Sequence, residues 1–583
     1  MTENSQEQRR RRLLTRALPV VAICAVSFAA GVVVGASSPG REAAQRFADA
    51  WEAQDYDAMY AELSEDAAAA HPEEEFEQAY EAADITATVD TITTGEAQDA
   101  ESASGGDVVK VPVTVSTHAF GRLEGEMALP VDGESIAWEP QLVFPGLEAG
   151  ETLDRREDVP ERAAILARDG TPLAEGPPAA RSSPLGVSAL NVAGEIGAPK
   201  KVAARELTGL GFPDGSLAGI SGLEEAFNTR LAGQPGGELL AVTGKGSEGR
   251  VLARGEPVPG EPINTTIDPG LQRAAATALG GLFGGVAVLD TDDGAVRALA
   301  GIAYSAPQPP GSTFKIITTT AALEEEAVSL DDTFPVETSN TTIGREISNA
   351  HDSPCGGTFV ESFAESCNTV FAPLGVEVGG EKLVETAERF GFNAPRTLMS
   401  PAGLDAINPA ESSIPPDLDD DVAVGESAIG QGEVLATPLE MATVAQTIAA
   451  GGVRSPTPLV TDPGLAPGAE PVEVTSEEVA GTVTDLMLEV VRSGTGIAGA
   501  VPGVEVAGKT GTAELGPDTP SEGDAPTPEG EEPEQQLDAW FSAFAPAGSP
   551  ELAIGVMVVD SEGDGGEVAA PIASQVLASR LGD

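Results

Sequence analysis

Cysteine and histidine are scarce in this chain of 583 residues, which has three of each. They are scattered, and no group of them has the spacing of ligands in a metal site. His351 is the only histidine near the candidate catalytic motifs, so the chain offers little for a Ser-His-Asp relay. Glycine-rich segments occur, but none has the strand–turn–helix setting and downstream lysine of a phosphate-binding loop. The sequence therefore predicts no metal and no cofactor.

Basic residues are also few. Lysine and arginine number 32 against 93 aspartates and glutamates, which gives a formal charge of −61. A surface this acidic repels phosphate backbones, so nucleic acid is not an expected partner. The same acidity keeps an exported protein soluble. The apolar content of 41% is enough for folded domains, and the chain is too long for a single hydrophobic core.

Five of the few arginines lie within the first sixteen positions, before an uncharged stretch of 20 residues, Ala17–Ala36. At 1.5 Å per residue, a helix of that length crosses a hydrocarbon layer of about 30 Å. Because positive charge stays on the cytoplasmic side, we expect a cytoplasmic segment 1–16, a transmembrane anchor 17–36 and an extracellular remainder in a single-pass cell-membrane protein. Two alternatives remain open: a signal peptide with Ala36-Ser37-Ser38 as its small-residue cleavage site, and a lipoprotein signal at Cys24.

Residues 41–150 predict a small α+β domain. Apolar residues recur at helical spacing from Glu42 to about Leu63, and a second helical stretch covers Glu73–Ala83. Four segments with the alternation of strands follow, namely Ile85–Thr94, Val108–Ser116, Phe120–Val131 and Ser135–Val143. Helices followed by an antiparallel sheet form a compact module, for which a spacer between the membrane and the rest of the chain is the simplest role.

Residues 153–260 have a looser composition, with proline-marked loops. Within them, Glu161–Ala174 predicts two strands around an Asp-Gly turn, and Gly219–Gly236 predicts a helix between glycine-rich turns. We expect an irregular linker module with few strands.

Residues 262–583 predict an α/β domain. Asp268 can cap a helix that begins at Pro269. The predicted strands are Gly285–Asp290, Ala295–Gly301, Val504–Ala507, Leu537–Phe544 and Leu552–Asp560, and the closing helix is Ile572–Leu581. We expect one antiparallel sheet, covered by helices from both ends of the domain, beside a helical lobe. The acidic, proline-rich residues 514–536 predict a disordered loop between neighbouring strands.

The first of three candidate catalytic motifs is Ser312-Thr313-Phe314-Lys315. It follows a Pro-Pro-Gly turn, and a helix that begins there places Ser312 and Lys315 about one turn apart on the same face. A serine hydroxyl is a weak nucleophile until a base takes its proton. Lys315 can be that base if burial and a second cation lower its pKa. Taken alone, the motif also fits an ordinary capped helix with an exposed lysine.

The second motif, Ser366-Cys367-Asn368, lies 54 positions after the first. Ser366 can relay a proton between Lys315 and a leaving amine, and Asn368 can hold a substrate amide. The alternative is a polar helix end that satisfies backbone groups. Cys367 is also 12 positions from Cys355 in a segment expected to face an oxidising compartment. The sequence leaves open whether these two cysteines form a disulfide or remain thiols.

The third motif, Lys509-Thr510-Gly511-Thr512, lies 143 positions after the second, on a predicted strand. Lys509 supplies the second cation and can attract a carboxylate, for which the two threonine hydroxyls are donors. The backbone N–H groups of Thr512 and Ser312 would form an oxyanion hole. The alternative is an exposed edge strand on which the lysine prevents aggregation.

In this order, the three motifs resemble the catalytic set of penicillin-binding proteins and class A β-lactamases. Their settings, "PPGSTFK", "SCNTVF" and "VAGKTGTAE", resemble the penicillin-binding proteins in particular, as do "AIGQGEVLATPLEMA", "SGTG" and "WFSAFAP". The segment "FADAWEAQDYDAMYAELS" resembles the nuclear-transport-factor-like domain found at the front of some of these proteins. Residues 161–236 loosely resemble the linker or dimerisation module of class B members.

The resemblance implies a class B penicillin-binding protein with a nuclear-transport-factor-like N-terminal extension and a C-terminal α/β domain of the serine β-lactamase type. The implied activity is D,D-transpeptidation of peptidoglycan stem peptides through an acyl-enzyme on Ser312, with β-lactams acylating the same serine. A D,D-carboxypeptidase or β-lactamase would use water as acceptor, and a β-lactam receptor or cell-wall assembly scaffold would need no turnover. The implied partners are the membrane, stem peptides and other cell-wall synthesis proteins.

Overall fold

The computed structural model describes residues 38–101, 107–244, 248–399, 407–462, 464–517 and 535–582. No helix within these ranges is long and apolar enough to cross a membrane. The predicted cytoplasmic segment 1–16 and anchor 17–36 lie outside the described residues. The chain divides into two units: the first extends to Arg156 and includes Glu238–Arg254, and the second contains Glu157–Gly237 and Gly255–Asp583.

The α-helices of the described chain are α1 Pro39–Glu52, α2 Tyr56–Tyr60, α3 Glu65–Ala70, α4 Glu73–Ala87, α5 Leu190–Ala193, α6 Lys201–Gly209, α7 Gly222–Ala226, α8 Asn228–Ala232, α9 Pro269–Leu279, α10 Lys315–Glu324, α11 Phe359–Ala364, α12 Asn368–Val378, α13 Gly380–Phe390, α14 Asp421–Ala428, α15 Pro438–Ala449, α16 Glu477–Arg492 and α17 Ala570–Leu581.

The strands are β1 Val89–Thr94, β2 Gln98–Glu101, β3 Asp107–Thr117, β4 Gly121–Asp132, β5 Ser135–Ile136, β6 Thr152–Asp158, β7 Ile165–Leu166, β8 Pro172–Ala174, β9 Ile196–Gly197, β10 Ala218–Gly219, β11 Gly236–Val242, β12 Arg250–Gly255, β13 Ile263–Asn264, β14 Gly284–Asp290, β15 Val296–Gly301, β16 Thr333–Glu337, β17 Ser339–Asn340, β18 Ile347–Ser348, β19 Cys355–Thr358, β20 Val453–Arg454, β21 Val472–Glu473, β22 Ala507–Pro517, β23 Gln535–Ala545 and β24 Leu552–Ser561.

The first unit is an α+β domain, as the sequence predicts. Strands β1, β3, β4 and β5 form an antiparallel sheet in that order, with β2 also paired to β3. Helices α1 and α4 place Phe47, Trp51, Phe76 and Tyr80 in a core shared with the strands. The first predicted strand starts later than expected, because the apolar spacing of α4 continues to Ala87 and keeps that segment helical.

Strands β6, β11 and β12 form a separate three-stranded sheet in the order β12-β11-β6. Its residues Leu239 and Leu252 pack with the hydrophobic core of the first unit. The sequence predicts that this segment belongs to the linker module 153–260. The chain instead returns to the first unit for Glu238–Arg254, a long-range pairing that local periodicity does not indicate.

The linker portion of the second unit is irregular. Strands β7 and β8 form the predicted hairpin around the Asp-Gly turn. The helix predicted between Gly219 and Gly236 is split into α7 and α8. Arg162 and Arg181 both bind the carboxylate of Glu224 in the interior of this portion.

The main sheet of the second unit is antiparallel, in the order β15-β14-β24-β23-β22. Helices α9 and α17, from the two ends of the domain, cover one face, and α15 packs on the other. A Cβ at Gly555 would lie 2.1 Å from the carbonyl oxygen of Pro438, so a glycine is required where α15 meets β24. Asp268 caps α9 by accepting from the N–H groups of Gly270 and Leu271. This is the arrangement that the sequence predicts.

Strands β22 and β23 pair directly, so the acidic run does connect neighbouring strands. The strands reach Pro517 and resume at Gln535, so parts of the predicted loop 514–536 are strand, and its middle lies outside the described residues. Helices α10 to α14 and α16 form the helical lobe, with Phe359, Phe363, Phe371 and Phe390 in its core.

Candidate active site

Ser312 lies in a 3-10 turn, Gly311–Phe314, which runs directly into α10 at Lys315. The helix predicted to begin at Ser312 therefore begins with a turn of 3-10 helix before it becomes α-helical at Lys315. Gly311 has a φ of 51°, and a Cβ there would lie 2.6 Å from the carbonyl oxygen of Thr512. The turn therefore packs directly on strand β22 and needs a glycine, which places Ser312 beside the third motif.

The Lys315 side chain lies at the centre of the site and is completely buried. Its Nζ is 2.9 Å from Ser312 Oγ, 2.7 Å from the carbonyl oxygen of Ser366 and 2.7 Å from Asn368 Oδ1. Burial, and secondarily the positive charge of Lys509, lower the pKa of Lys315 well below its ordinary value. This shift favours the neutral amine, which is the form of lysine that can accept a proton.

Ser366 connects the two lysines. Its Oγ accepts from Lys509 Nζ at 2.9 Å and lies 3.3 Å from Lys315 Nζ. Ser366 has a φ of 63°, in the left-handed region that a non-glycine residue rarely adopts, and such strain is typical of functional sites. The turn between α11 and α12 turns the serine towards both lysines. Asn368, at the start of α12, also donates from Nδ2 to the carbonyl oxygen of Ser348 at 3.0 Å.

Lys509 lies on β22, the edge strand of the main sheet, yet its side chain is completely buried. Its Nζ also donates to the carbonyl oxygen of Thr510 at 3.0 Å. Burial lowers the pKa of Lys509 to about 7, and the negative charge of Glu365 opposes that shift. A lysine that is completely buried cannot prevent edge-to-edge aggregation of exposed strands. The alternative interpretation of the third motif, an exposed edge strand protected by its lysine, is therefore wrong.

The rest of the third motif faces the cleft. The hydroxyls of Thr510 and Thr495 are 2.5 Å apart, and Thr512 Oγ1 accepts from the backbone N–H of Gly565 at 3.3 Å. A Cβ at Gly511 would lie 2.6 Å from the carbonyl oxygen of Pro310. Thr495 belongs to the "SGTG" segment. The sequence shows that this segment resembles the corresponding one of penicillin-binding proteins, but it predicts no role for Thr495.

An open cleft of about 840 Å³ lies over Ser312, Ser366, Asn368 and residues 510–512. Its other wall includes Arg345, which binds Glu426 on α14. The sequence predicts a role in the site for neither of these two wall residues. Among the described residues, no group of His, Cys, Asp and Glu could hold a metal ion.

Cys355 and Cys367 form a disulfide with their Cα atoms 5.4 Å apart. The sequence left this bond open. It ties β19 to the middle position of the second motif and so restrains the turn that carries Ser366. Asn349 adds a second restraint, because its Oδ1 accepts from the backbone N–H of Thr369 at 3.0 Å.

His351 lines the cleft, but its nearest acidic partner is Asp564, with 3.8 Å between Nε2 and Oδ2. Ser312 Oγ instead lies within hydrogen-bonding distance of Lys315 Nζ, at 2.9 Å. The site is therefore organised around a serine and two lysines, as the scarcity of histidine suggested.

A family model described as the penicillin-binding protein transpeptidase domain matches residues 284–578, more than half of the chain. The chain belongs to the penicillin-binding protein transpeptidase family. An NTF2-like N-terminal transpeptidase domain matches residues 39–151, and a penicillin-binding protein dimerisation domain matches residues 176–265. The family membership predicted from the sequence is confirmed, as is the presence of NTF2-like, dimerisation and transpeptidase domains.

Among curated proteins, this penicillin-binding protein is 37% identical over 302 residues to the peptidoglycan D,D-transpeptidase PbpA of Mycolicibacterium smegmatis, covering 48% of this chain and 56% of that protein. It is 36% identical over 310 residues to PbpA of Mycobacterium tuberculosis, covering 50% and 58%. The chain thus spans little more than half the length of these relatives.

Among solved structures, the penicillin-binding protein is similar to PBPA from Mycobacterium tuberculosis, with a TM-score of 0.53 and 26% identity over 72% of this chain and 99% of that one. A structure of the same M. tuberculosis protein is an acyl-enzyme complex with penicillin G. A D,D-transpeptidase domain from Eggerthella lenta matches with a TM-score of 0.56 and 28% identity, over 72% of this chain and 98% of that one.

Proposed function

We propose that this protein is a peptidoglycan D,D-transpeptidase that cross-links stem peptides through an acyl-enzyme on Ser312. The observation that carries the proposal is the set of acceptors around Lys315. The Ser366 carbonyl and Asn368 Oδ1 can only accept hydrogen bonds, so they take the two N–H groups of a neutral amine. The remaining lone pair is left for Ser312 Oγ at 2.9 Å, within the range for general-base catalysis.

In the first step, Lys315 takes the proton of Ser312 as Oγ bonds to the carbonyl carbon of the penultimate D-alanine. The negative charge that develops on the carbonyl oxygen is stabilised by the N–H groups of Ser312 and Thr512. The contact between Gly311 and Thr512, which holds the nucleophile turn against β22, supports this pairing.

Collapse of the tetrahedral intermediate breaks the amide C–N bond. The leaving D-alanine amine takes a proton through Ser366, whose hydroxyl is within hydrogen-bonding distance of both lysines. An amine from a neighbouring stem peptide then attacks the ester, loses its proton through the same serine and lysine, and releases Ser312.

Substrate recognition in this scheme uses the third motif and Asn368. The terminal carboxylate of the donor peptide binds near Lys509 and the hydroxyls of Thr510 and Thr512, while Gly511 allows the close approach of strand and turn. Asn368 holds a substrate amide. β-Lactams acylate Ser312 because their strained amide and carboxylate occupy the same positions.

The setting of this chemistry is also part of the proposal. Residues 17–36 anchor the protein in the cell membrane, the basic segment 1–16 stays in the cytoplasm, and residues 41–150, 153–260 and 262–583 lie outside. Stem peptides are then reached at the outer face of the membrane, where other cell-wall synthesis proteins are partners.

The test is to mix the full-length protein with penicillin and follow the intact mass over hours, with Ser312→Ala as the control. We expect a stable adduct that is absent from the control. An adduct that disappears within seconds would indicate a β-lactamase, and release of D-alanine without cross-linking would indicate a carboxypeptidase. Complementation by Ser312→Ala of a strain lacking the protein would support a scaffold and contradict the proposal.

A further inference from the structure

Two phenylalanine rings lie against the two lysines of the site. Lys315 Nζ is 5.3 Å from the centroid of the Phe371 ring, and Lys509 Nζ is 5.7 Å from that of Phe363. The rings contact each other edge to face, with centroids 6.0 Å apart. Both are completely buried. Separations of up to about 6 Å over a ring face are those of cation–π interactions.

The two rings flank the second motif in sequence. Phe363 lies on α11, three positions before Ser366, and Phe371 lies on α12, three positions after Asn368. A single segment therefore delivers both the polar groups that bind the lysines and the aromatic faces that support them. The disulfide at Cys367 fixes the centre of this segment.

Neither lysine has an ion-pair partner within 4.0 Å among the described residues, although both are completely buried. Lys315 is influenced by the positive charge of Lys509, and Lys509 by the negative charge of Glu365. The other polar groups around Lys315 are neutral oxygens of Ser312, Ser366 and Asn368. A proton transferred to Lys315 thus creates a buried cation with no adjacent carboxylate.

We propose that Phe371 is a positioning residue whose ring face stabilises the ammonium that Lys315 becomes when it takes the Ser312 proton. Phe363 supports the cationic form of Lys509 in the same way. This inference rests on the proposed function, because it assigns the rings a role in acyl transfer. It predicts that the electrostatic character of the ring, beyond its volume, sets the strength of the base.

Loss of the ring's negative face would lower the pKa of Lys315 further, because the charged form would lose a favourable contact. A weaker base gives a slower plateau rate, while the acid limb of the pH–rate profile moves to lower pH. A role in packing alone would lower the amount of folded protein and leave the position of that limb unchanged.

The test replaces Phe371 with pentafluorophenylalanine, which is nearly the same shape but reverses the charge distribution of the ring face. We expect the rate constant for acylation by penicillin to fall about 3- to 30-fold, with the acid limb shifted to lower pH. Phe371→Leu, which keeps an apolar side chain without a ring, should change the rate and the limb in the same directions.

Phe359 provides the matched control. It lies on α11 like Phe363, is equally buried and packs on Phe371 with centroids 5.7 Å apart. Within the described structure, however, the recorded lysine–ring contacts involve only Phe371 and Phe363. Fluorination of Phe359 should leave both the rate and the pH profile unchanged.

Two outcomes would overturn the inference alone: an unchanged rate after fluorination of Phe371, or equal losses at Phe359 and Phe371 while the unmodified protein is acylated normally. A full-length protein that forms no Ser312-dependent adduct would overturn the proposed function, and this inference with it. The acylation of the unmodified protein therefore distinguishes the two failures.

Discussion

Two sets of buried charges in the second unit differ in what surrounds them. In the linker portion, Arg162 and Arg181 bind opposite oxygens of Glu224, with Nε–Oε distances of 2.8 and 2.7 Å. The three side chains are 2%, 9% and 1% exposed. In the cleft, Lys315 and Lys509 are at least as buried, and neither forms an ion pair in the described structure.

The paired charges of the linker portion stabilise the fold, whereas the two lysines without ion-pair partners are available for proton transfer. A buried guanidinium stays charged, so it requires a carboxylate. A buried lysine without one lowers its pKa instead and becomes able to exchange protons near neutral pH. For both cleft lysines, burial is the main cause of the lowered pKa. In the described structure, the lack of an ion-pair partner within 4.0 Å distinguishes the two lysines of the candidate active site from the arginines of the linker portion.

The largest expected effect comes from giving the cleft a permanent charge like those of the linker. In the Lys315→Arg variant, the guanidinium cannot accept the proton of Ser312, so acylation by penicillin should fall by about 10²- to 10⁴-fold. The rate is measured by intact mass, and circular dichroism checks the fold. Lys315→Met, which carries no charge, is the companion variant. Unchanged acylation in either variant would rule out Lys315 as the base.

The converse change leaves the linker charges without a partner. Glu224→Gln would leave two buried guanidinium groups without a carboxylate partner and should lower the free energy of unfolding by about 3–5 kcal/mol. Acylation per folded molecule should stay within about twofold, because Glu224 is absent from the cleft lining. Thermal melting and penicillin labelling give the two readouts.

Glu225→Gln is the matched control for that change, since Glu225 is the exposed neighbour on the same helix. It should leave both stability and labelling nearly unchanged. If Glu224→Gln were equally harmless, the ion pairs of Arg162 and Arg181 with Glu224 would not stabilise the linker portion. The contrast between paired structural charges and unpaired lysines would then not hold.

The smallest effect is a pH dependence of carboxylate recognition. With a pKa of about 7, Lys509 is mostly a cation at pH 6 and mostly neutral at pH 8. The second-order rate constant for acylation by penicillin should therefore fall by about tenfold as the pH rises from 6 to 8. Titration of Lys315, whose pKa is lowered by burial, would act in the opposite direction, because a general base gains activity as the pH rises.

A penicillin ester that lacks the free carboxylate is the matched reagent for this measurement. Its acylation should be slower than that of penicillin at pH 6 and should not fall as the pH rises from 6 to 8. An equal decline for the acid and the ester would show that the titrating group acts on the reaction itself and not on the carboxylate.

Much of the fold could be predicted because the signals are local. The Asp268–Pro269 start of α9, the strands around residues 285–301 and the closing helix all follow from short-range patterns. Prediction failed where distant segments pair. The return of Glu238–Arg254 to the first unit depends on a strand about eighty positions earlier, and nothing in its own sequence shows that partner.

The candidate site divides in the same way. The three motifs name Ser312, Lys315, Ser366, Asn368 and residues 509–512, and the structure brings all of them together. The two lysines are buried and hydrogen-bonded to the serines, and the other residues line one cleft. The roles of Phe363 and Phe371 could not be read from the sequence, because phenylalanines at such spacing are common in helix cores. For Thr495, the only signal in the sequence was its position in the "SGTG" segment, which resembles penicillin-binding proteins.

The sequence by itself determined which chemical groups are present and their order: a serine and lysine one turn apart, a second serine with an asparagine, and a lysine on a glycine-bearing strand. Only the tertiary structure decided that both lysines are buried without an ion-pair partner within 4.0 Å in the described chain, that two rings support them and that Cys355 binds Cys367. The physical reason is that burial and proton affinity depend on contacts between residues that are distant in sequence. Lys315 and Ser366 are 51 positions apart, Ser366 and Lys509 are 143 apart, and packing of the whole domain brings them together.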